Sequence, residues 1–177
     1  MRITSPGGPP NKPIIFYHGG QHAREWINIP VPMYVADWLL RNYGIDSQAT
    51  RLLDDVEWII VPCMNPDGYA YTWSGDRLWR KNRRNNGGGS FGVDLNRNWG
   101  QGWGGEGSSS DPDSEIYRGP SAFSEPETQA MRDVVLNNSR VRAYLDYHNY
   151  SQLVMYPWGY TSARCPDDAE FNDLTGQ

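Results

Sequence analysis

Apolar residues in this chain fall in short clusters separated by stretches of Gly, Pro and Asn. Ile14-Ile15-Phe16-Tyr17-His18 is a compact β-favouring run halted by Gly19-Gly20, and it predicts a buried strand. From Glu25 to Tyr43 the positions of Trp26, Ile29, Met33, Trp38 and Leu39 suit a helix, with Pro30 and Pro32 tolerable only near its beginning. A short helical piece over 48–53 precedes Val56-Glu57-Trp58-Ile59-Ile60-Val61, a second core strand, and the stretch Pro62 to Gly68 reads as turn throughout. Ser124-Glu125-Pro126-Glu127 has the Ser-x-x-Glu spacing of a capping box and predicts a helix to about Asn138. Val141–His148 and Gln152–Tyr156 predict two further strands, and a last helix begins near Pro166-Asp167-Asp168. Alternating strands and helices predict an α/β fold, a mixed β-sheet with helices on both faces.

Two segments stand outside this pattern. Residues 5–13 are rich in Pro and Gly and predict a loop. Between Asn85 and Pro120 there are ten glycines and few aliphatics, around one compact cluster, Gly92-Val93-Asp94-Leu95-Asn96-Arg97-Asn98-Trp99. An irregular segment of that length inside a compact domain marks either function or disorder. No internal repeat and no linker divides the 177 residues, enough for a single sizeable core.

Composition narrows the function classes. Lys and Arg number 16 against 21 Asp and Glu, for a net charge of −5, which argues against a nucleic-acid partner and its usual basic face. No apolar run approaches the ~18 residues that cross a bilayer, so no membrane role is expected. With 13% aromatic residues, most of the chain is expected to fold. Cys63 and Cys165 are too few for a disulfide framework or a thiolate zinc finger and read as two unrelated buried thiols. No leader sequence is visible ahead of the Pro/Gly-rich stretch.

The densest chemistry follows the first predicted strand, in Gly19-Gly20-Gln21-His22-Ala23-Arg24-Glu25-Trp26. His22 and Glu25, three apart in a loop or first helical turn, can face one centre, and an imidazole with a carboxylate suits Zn²⁺. A catalytic zinc takes a third protein ligand and keeps one position open. His18 shares its strand with apolar neighbours and is expected to be a core residue, whereas His148 follows a strand end, where α/β sites gather.

With these motifs assembled, the sequence resembles the zinc metallocarboxypeptidase family, whose fold is that of the digestive carboxypeptidases. The matching segments are His22 to Trp26, Asn65-Pro-Asp-Gly-Tyr69, Arg77 to Arg83, Gly92 to Trp99, and His148-Asn-Tyr-Ser-Gln-Leu153 with Tyr156-Pro-Trp-Gly-Tyr160. The resemblance implies that His22, Glu25 and His148 hold one Zn²⁺ and that Asp94 orients a ligand histidine. It implies that Arg97, helped by Asn96, clamps the free carboxylate of a peptide or protein C-terminus, a task suited to a guanidinium fork. Arg80 is implied as the electrophile that stabilises the oxyanion formed at the scissile carbonyl. Arg24, Arg77 and Tyr150 are implied to line the sites for upstream substrate residues. Taken alone, Arg77, Arg80, Lys81, Arg83 and Arg84 read as a solvated basic loop, and only the matched context assigns them roles.

The resemblance implies further that residues 1–177 form an internal part of a larger catalytic domain, truncated at both ends. The glutamate general base and a mobile tyrosine of the family are expected downstream of Gln177. The parent is then a hydrolase of C-terminal peptide bonds, expected to be secreted, while the isolated chain is expected to show little or no turnover. Two other readings share the fold: a zinc-dependent deacylase of non-peptide acyl groups, and a noncatalytic zinc-binding module.

Overall fold

The computed structural model describes residues 1–176. In chain order the elements are β1 (Arg2–Ile3), β2 (Ile14–His18), α1 (Pro30–Asn42), α2 (Ser47–Asp55), β3 (Glu57–Val61), α3 (Pro66–Ser74), β4 (Asn85–Gly87), β5 (Ser90–Phe91), α4 (Pro126–Leu136), β6 (Val141–Asp146) and α5 (Asp168–Thr175). Short 3₁₀ turns occupy Trp26–Asn28 and Leu95–Arg97. Among the described residues the main sheet is mixed, in the order β1-β3-β2-β6, and β4 pairs only with β5.

Strand β2 is the centre of the sheet because both of its faces are apolar. It runs parallel to β3 on one side and to β6 on the other, with His18 level with Val61 and Asp146. Side chains of a strand alternate between faces. Tyr17, Trp58 and Ile60 therefore point one way, packing with Ile3 against Ala36 and Leu39 of α1 and Leu53 of α2. Phe16 points the other way, with Ile59 and Val61, onto Met64, Leu95 and Met131 of α4. Helices thus cover both faces, as the alternating pattern predicts.

Local chemistry sets the element starts. The Asp46 carboxylate accepts from the backbone N–H of Gln48 and of Ala49, both at 2.9 Å, satisfying donors at the opening of α2. Asn65 performs the same service for α3, accepting from Gly68 N–H at 2.9 Å, and Pro66 occupies the first turn, where its missing N–H costs nothing. The expected turn over Pro62–Gly68 is therefore corrected: its second half opens a helix, because an Asn cap followed by Pro is also a helix start.

Other expectations are refined. The helix expected from Glu25 is a 3₁₀ turn followed by α1 from Pro30, since the prolines force the α-helix to begin with them. The capping box at Ser124 is not formed; Glu125 is the cap position and its backbone, not a side-chain cap, opens α4. The Ser124 hydroxyl instead donates to Glu125 Oε1 at 2.6 Å, while Arg84 holds the same carboxylate. Gln152–Tyr156 is not a strand; β6 ends at Asp146 and the following chain runs irregularly to α5. Arg2–Ile3, unanticipated, pairs antiparallel with Ile59 and Trp58. Cys63 and Cys165 are free thiols, with Cys165 buried and Cys63 only half-buried.

Candidate metal centre

The site lies at the carboxyl ends of β2, β3 and β6, where the connections leave for opposite faces of the sheet. The chain after β2 passes to α1 on one face, while α4 on the other face feeds β6. Side chains from such diverging loops face a shared crevice. Backbone geometry turns β2 sharply into this crevice. Gly20 has φ of +68°, a left-handed conformation natural to glycine. A Cβ on Gly19 would stand 2.1 Å from the carbonyl oxygen of Asn28, so only glycine fits there too.

The turned segment is then locked. Met64 N–H donates to Gly19 O and Asn65 N–H to Gly20 O. The fully buried Asn65 amide donates to Gln21 O and Lys81 O, each at 3.1 Å, joining three loops. Ala23 N–H donates to Arg80 O at 3.0 Å.

Against this frame His22, Glu25 and His148 converge, each offering a ligand atom within 4.8 Å of the others. His22 Nδ1 lies 2.8 Å from Glu25 Oε1, His148 Nδ1 lies 3.1 Å from Glu25 Oε2, and the two Nδ1 atoms are 3.2 Å apart. Donors bound at ~2.0–2.1 Å to one tetrahedral zinc stand about 3.3 Å from each other, so these separations, measured to the two oxygens of the Glu25 carboxylate, fit a single such ion. Two imidazoles and a carboxylate are also the right donor class, with a fourth position left for a small molecule.

Electrostatics at the centre are those of a site built for positive charge. Burial pushes the Glu25 carboxyl up, but the facing imidazoles of His148 and His22 outweigh it and hold the group well below the usual carboxylate range. Burial works to lower His148, and Asp146 and Glu25 reverse it, so the imidazole is pushed up to about 9. The Asn28 amide donates to Glu25 Oε2 at 2.7 Å, fixing the carboxylate plane.

Asp94 is fully buried behind this triangle. Its Oδ1 lies 3.3 Å from His22 Nε2, and its Oδ2 accepts from Arg80 Nε and Nη2, both at 3.0 Å. Burial alone would raise its pKa; the His22 contact and the charges of Arg80 and Arg97 bring it below the ordinary value. The same carboxylate caps the turn Leu95–Arg97 by accepting from Asn96 N–H at 3.0 Å. One carboxylate thereby contacts the His22 imidazole, the Arg80 guanidinium and the segment that carries Asn96 and Arg97.

The expected site residues distribute as follows. Arg80 reaches the centre, with Nη1 3.3 Å from His22 Nδ1. Arg97 is anchored to the glycine-rich loop, donating from Nε to Gly107 O at 2.7 Å and from Nη1 to Asn96 O at 2.8 Å. Arg24 and Arg77 sit together on the rim: Arg77 Nη1 donates to Arg24 O at 3.0 Å and its guanidinium stacks 3.8 Å from the Trp26 ring. Arg24 pairs with Glu115 at 3.0 Å. Tyr150 is not drawn into the cluster, standing 93% exposed. His18 is wholly buried and lies outside the donor triangle, as its apolar strand implies.

The sequence motifs assigned no role to Asn28, Asn65 or Asp146. Asn28 carried a findable signal, three residues past Glu25 in the same turn. Asn65 carried one too, an Asn-Pro helix start. Asp146 carried a local signal as well, two residues before His148, while its contacts with His18 and Gln21 come from across the sheet.

The profile of the family described as zinc carboxypeptidase matches residues 1–177. Mouse "Carboxypeptidase A4" is 42% identical over 171 residues, covering 96% of this chain and 41% of that protein. "Carboxypeptidase B" of Astacus astacus is 46% identical over 172 residues, covering 95% of this chain and 55% of its own length. Other relatives at 42–44% identity carry the name "Inactive metallocarboxypeptidase". The crystal structure of thrombin activatable fibrinolysis inhibitor superposes with a TM-score of 0.93 at 36% identity, over 98% of this chain and 44% of that one. The chain therefore spans about half the length of these relatives or less. Agreement over the whole sequence, at identities above 40% and with a common backbone, makes this chain a member of the zinc carboxypeptidase family.

Proposed function

We propose that the chain carries the metal-binding and carboxylate-recognising part of a peptidase that removes residues from the C-termini of peptides and proteins. The observation that carries the reading is the convergence of His22 Nδ1, His148 Nδ1 and the two oxygens of the Glu25 carboxylate, at separations of 2.8, 3.1 and 3.2 Å. These residues would hold one Zn²⁺, which when bound supplies Lewis acidity and lowers the pKa of water. Arg80, pinned by two bonds to Asp94, keeps Nη1 directed at the centre, where it can donate to charge developing on a carbonyl oxygen. Arg97 spends Nε and Nη1 on two backbone carbonyls, which fixes the guanidinium plane and leaves Nη2 for a substrate carboxylate, beside Asn96. Arg24 and Arg77 on the rim, with exposed Tyr150, would meet the upstream part of the peptide. Turnover is proposed for the whole enzyme, in which these residues would supply the metal site and the carboxylate clamp.

Zinc competition with a chelator tests the centre. We expect one tight zinc per chain, lost in His22→Ala. Arg97→Ala should keep the zinc but weaken binding of a peptide acid, and leave binding of the corresponding C-terminal amide unchanged. Failure of the parent chain to take up zinc, or equal losses for acid and amide, would remove the reading. Relatives named inactive favour a second reading, a zinc-holding module without turnover. C-terminal ladder analysis of a peptide treated with the longer protein separates the two.

A further inference from the structure

The two ligand imidazoles differ in what meets their outer nitrogens. His22 turns Nε2 toward buried Asp94, at 3.3 Å. His148 Nε2 lies closer, 2.9 Å from Asp146 Oδ2. Asp146 ends β6 and is held there by register with His18, whose Nε2 stands 3.5 Å from Asp146 Oδ1 and 2.6 Å from the Tyr144 hydroxyl. A third group enters the same spot: the Gln21 amide Nε2 lies 3.3 Å from His148 Nε2 and 3.4 Å from Asp146 Oδ2.

A neutral imidazole carries one N–H and one lone pair, and the partner of one nitrogen decides which is which. Only a lone pair can ligate a metal, so Nδ1 must be bare and Nε2 must hold the proton. A carboxylate offers acceptors alone and enforces that tautomer. The Gln21 amide offers a donor and, acting on its own, would favour a bare Nε2 with the proton on Nδ1, pointed into the metal centre. Resting on the zinc reading above, we propose that Asp146 is a positioning residue of the metal centre: it overrides Gln21 and holds His148 in the tautomer whose Nδ1 can bind metal.

The experiment uses this chain, zinc, and a competing chelator at neutral pH. Asp146→Ala should weaken zinc binding by ~10–100-fold, the usual effect of losing a partner behind a ligand histidine. Asp146→Glu should recover most of that loss, and Asp146→Asn should fall between, since an amide oxygen still accepts but carries no charge. Adding Gln21→Met to Asp146→Ala should restore part of the affinity, because the competing donor is gone. In the zinc-loaded parent, NMR should show a slowly exchanging His148 Nε2 proton that disappears in Asp146→Ala. Asp146 is partly solvent-exposed at a strand end, and the urea midpoint of each metal-free variant separates a folding loss from a metal loss. If the parent binds zinc and Asp146→Ala matches it in affinity and in the proton signal, this proposal alone fails. A folding loss shared by all Asp146 variants without Gln21→Met rescue overturns it as well. If the parent binds no zinc, the underlying reading fails and takes this one with it.

Discussion

Phe16 shows what a single side chain contributes here. It is fully buried at the centre of β2, edge-on to Tyr144 with ring centroids 5.3 Å apart, and packed on Met64, Leu95 and Met131. Phe16→Ala would leave a cavity bounded by three different elements, and we expect a loss of about 3–5 kcal/mol in urea unfolding. Asp94 acts at the same scale through charge rather than volume. Asp94→Asn keeps the shape but removes the charge facing His22 and Arg80. Zinc affinity measured by chelator competition should fall by ~10–100-fold, while Asp94→Ala, which also loses the cap on Asn96 N–H, should lower stability too.

At the scale of elements, Asn65 both starts α3 and ties that helix to the site. Its side-chain oxygen caps Gly68 N–H, and its nitrogen serves Gln21 O and Lys81 O. Asn65→Asp keeps the cap and loses both donations; Asn65→Ala loses all three. The cap is worth about 0.5–2 kcal/mol, but Asn65→Asp turns a carboxylate oxygen onto the Gln21 and Lys81 carbonyls in a fully buried site, so Asp should be the less stable of the two in urea unfolding. An Asn65→Asp variant more stable than Asn65→Ala would show that the cap outweighs this repulsion. Strand β6 shows how an element's position governs its exposure: among the described residues it is at one edge of the sheet, and Tyr144, Leu145 and Tyr147 are each at least two-fifths exposed.

For the whole molecule, ion pairs add to sheet and core in tying distant segments at the amino ends of the strands. Glu57 of β3 is held by Arg2 of β1 and by Arg140 just before β6, the latter at 3.0 Å. Burial pushes the Glu57 carboxyl up, and the two guanidinium partners outweigh it, so its pKa lies below the ordinary 4.5. A carboxyl depressed by folding adds stability that is complete above its unfolded pKa and lost as pH falls through the folded value. The urea midpoint of the metal-free chain should therefore decline as pH drops below about 4.5, and Glu57→Gln should be less stable at neutral pH with a shallower acid decline. An unchanged slope in Glu57→Gln would place the acid sensitivity elsewhere.

Strands β2 and β3, helix α2 and the pairing of His22 with Glu25 were legible in the sequence because each depends on neighbours within a few residues. Apolar runs choose strands, Asp46 chooses a helix start, and an i, i+3 pair shares a turn. The family motifs carried the chemistry further than spacing alone, naming Asp94, Arg80 and Arg97. Folding brought His148 back to His22 across the sheet, put Asp94 behind both Arg80 and the imidazole, and set Asp146 beside Gln21. It also left Gln152–Tyr156 outside any strand, in the irregular stretch that leads to α5. Short-range order follows from torsional preference and side-chain periodicity, which a sequence states outright. Convergence across 123 residues between Glu25 and His148 depends on strand register and on which face each connection takes, and only the packed sheet fixes those.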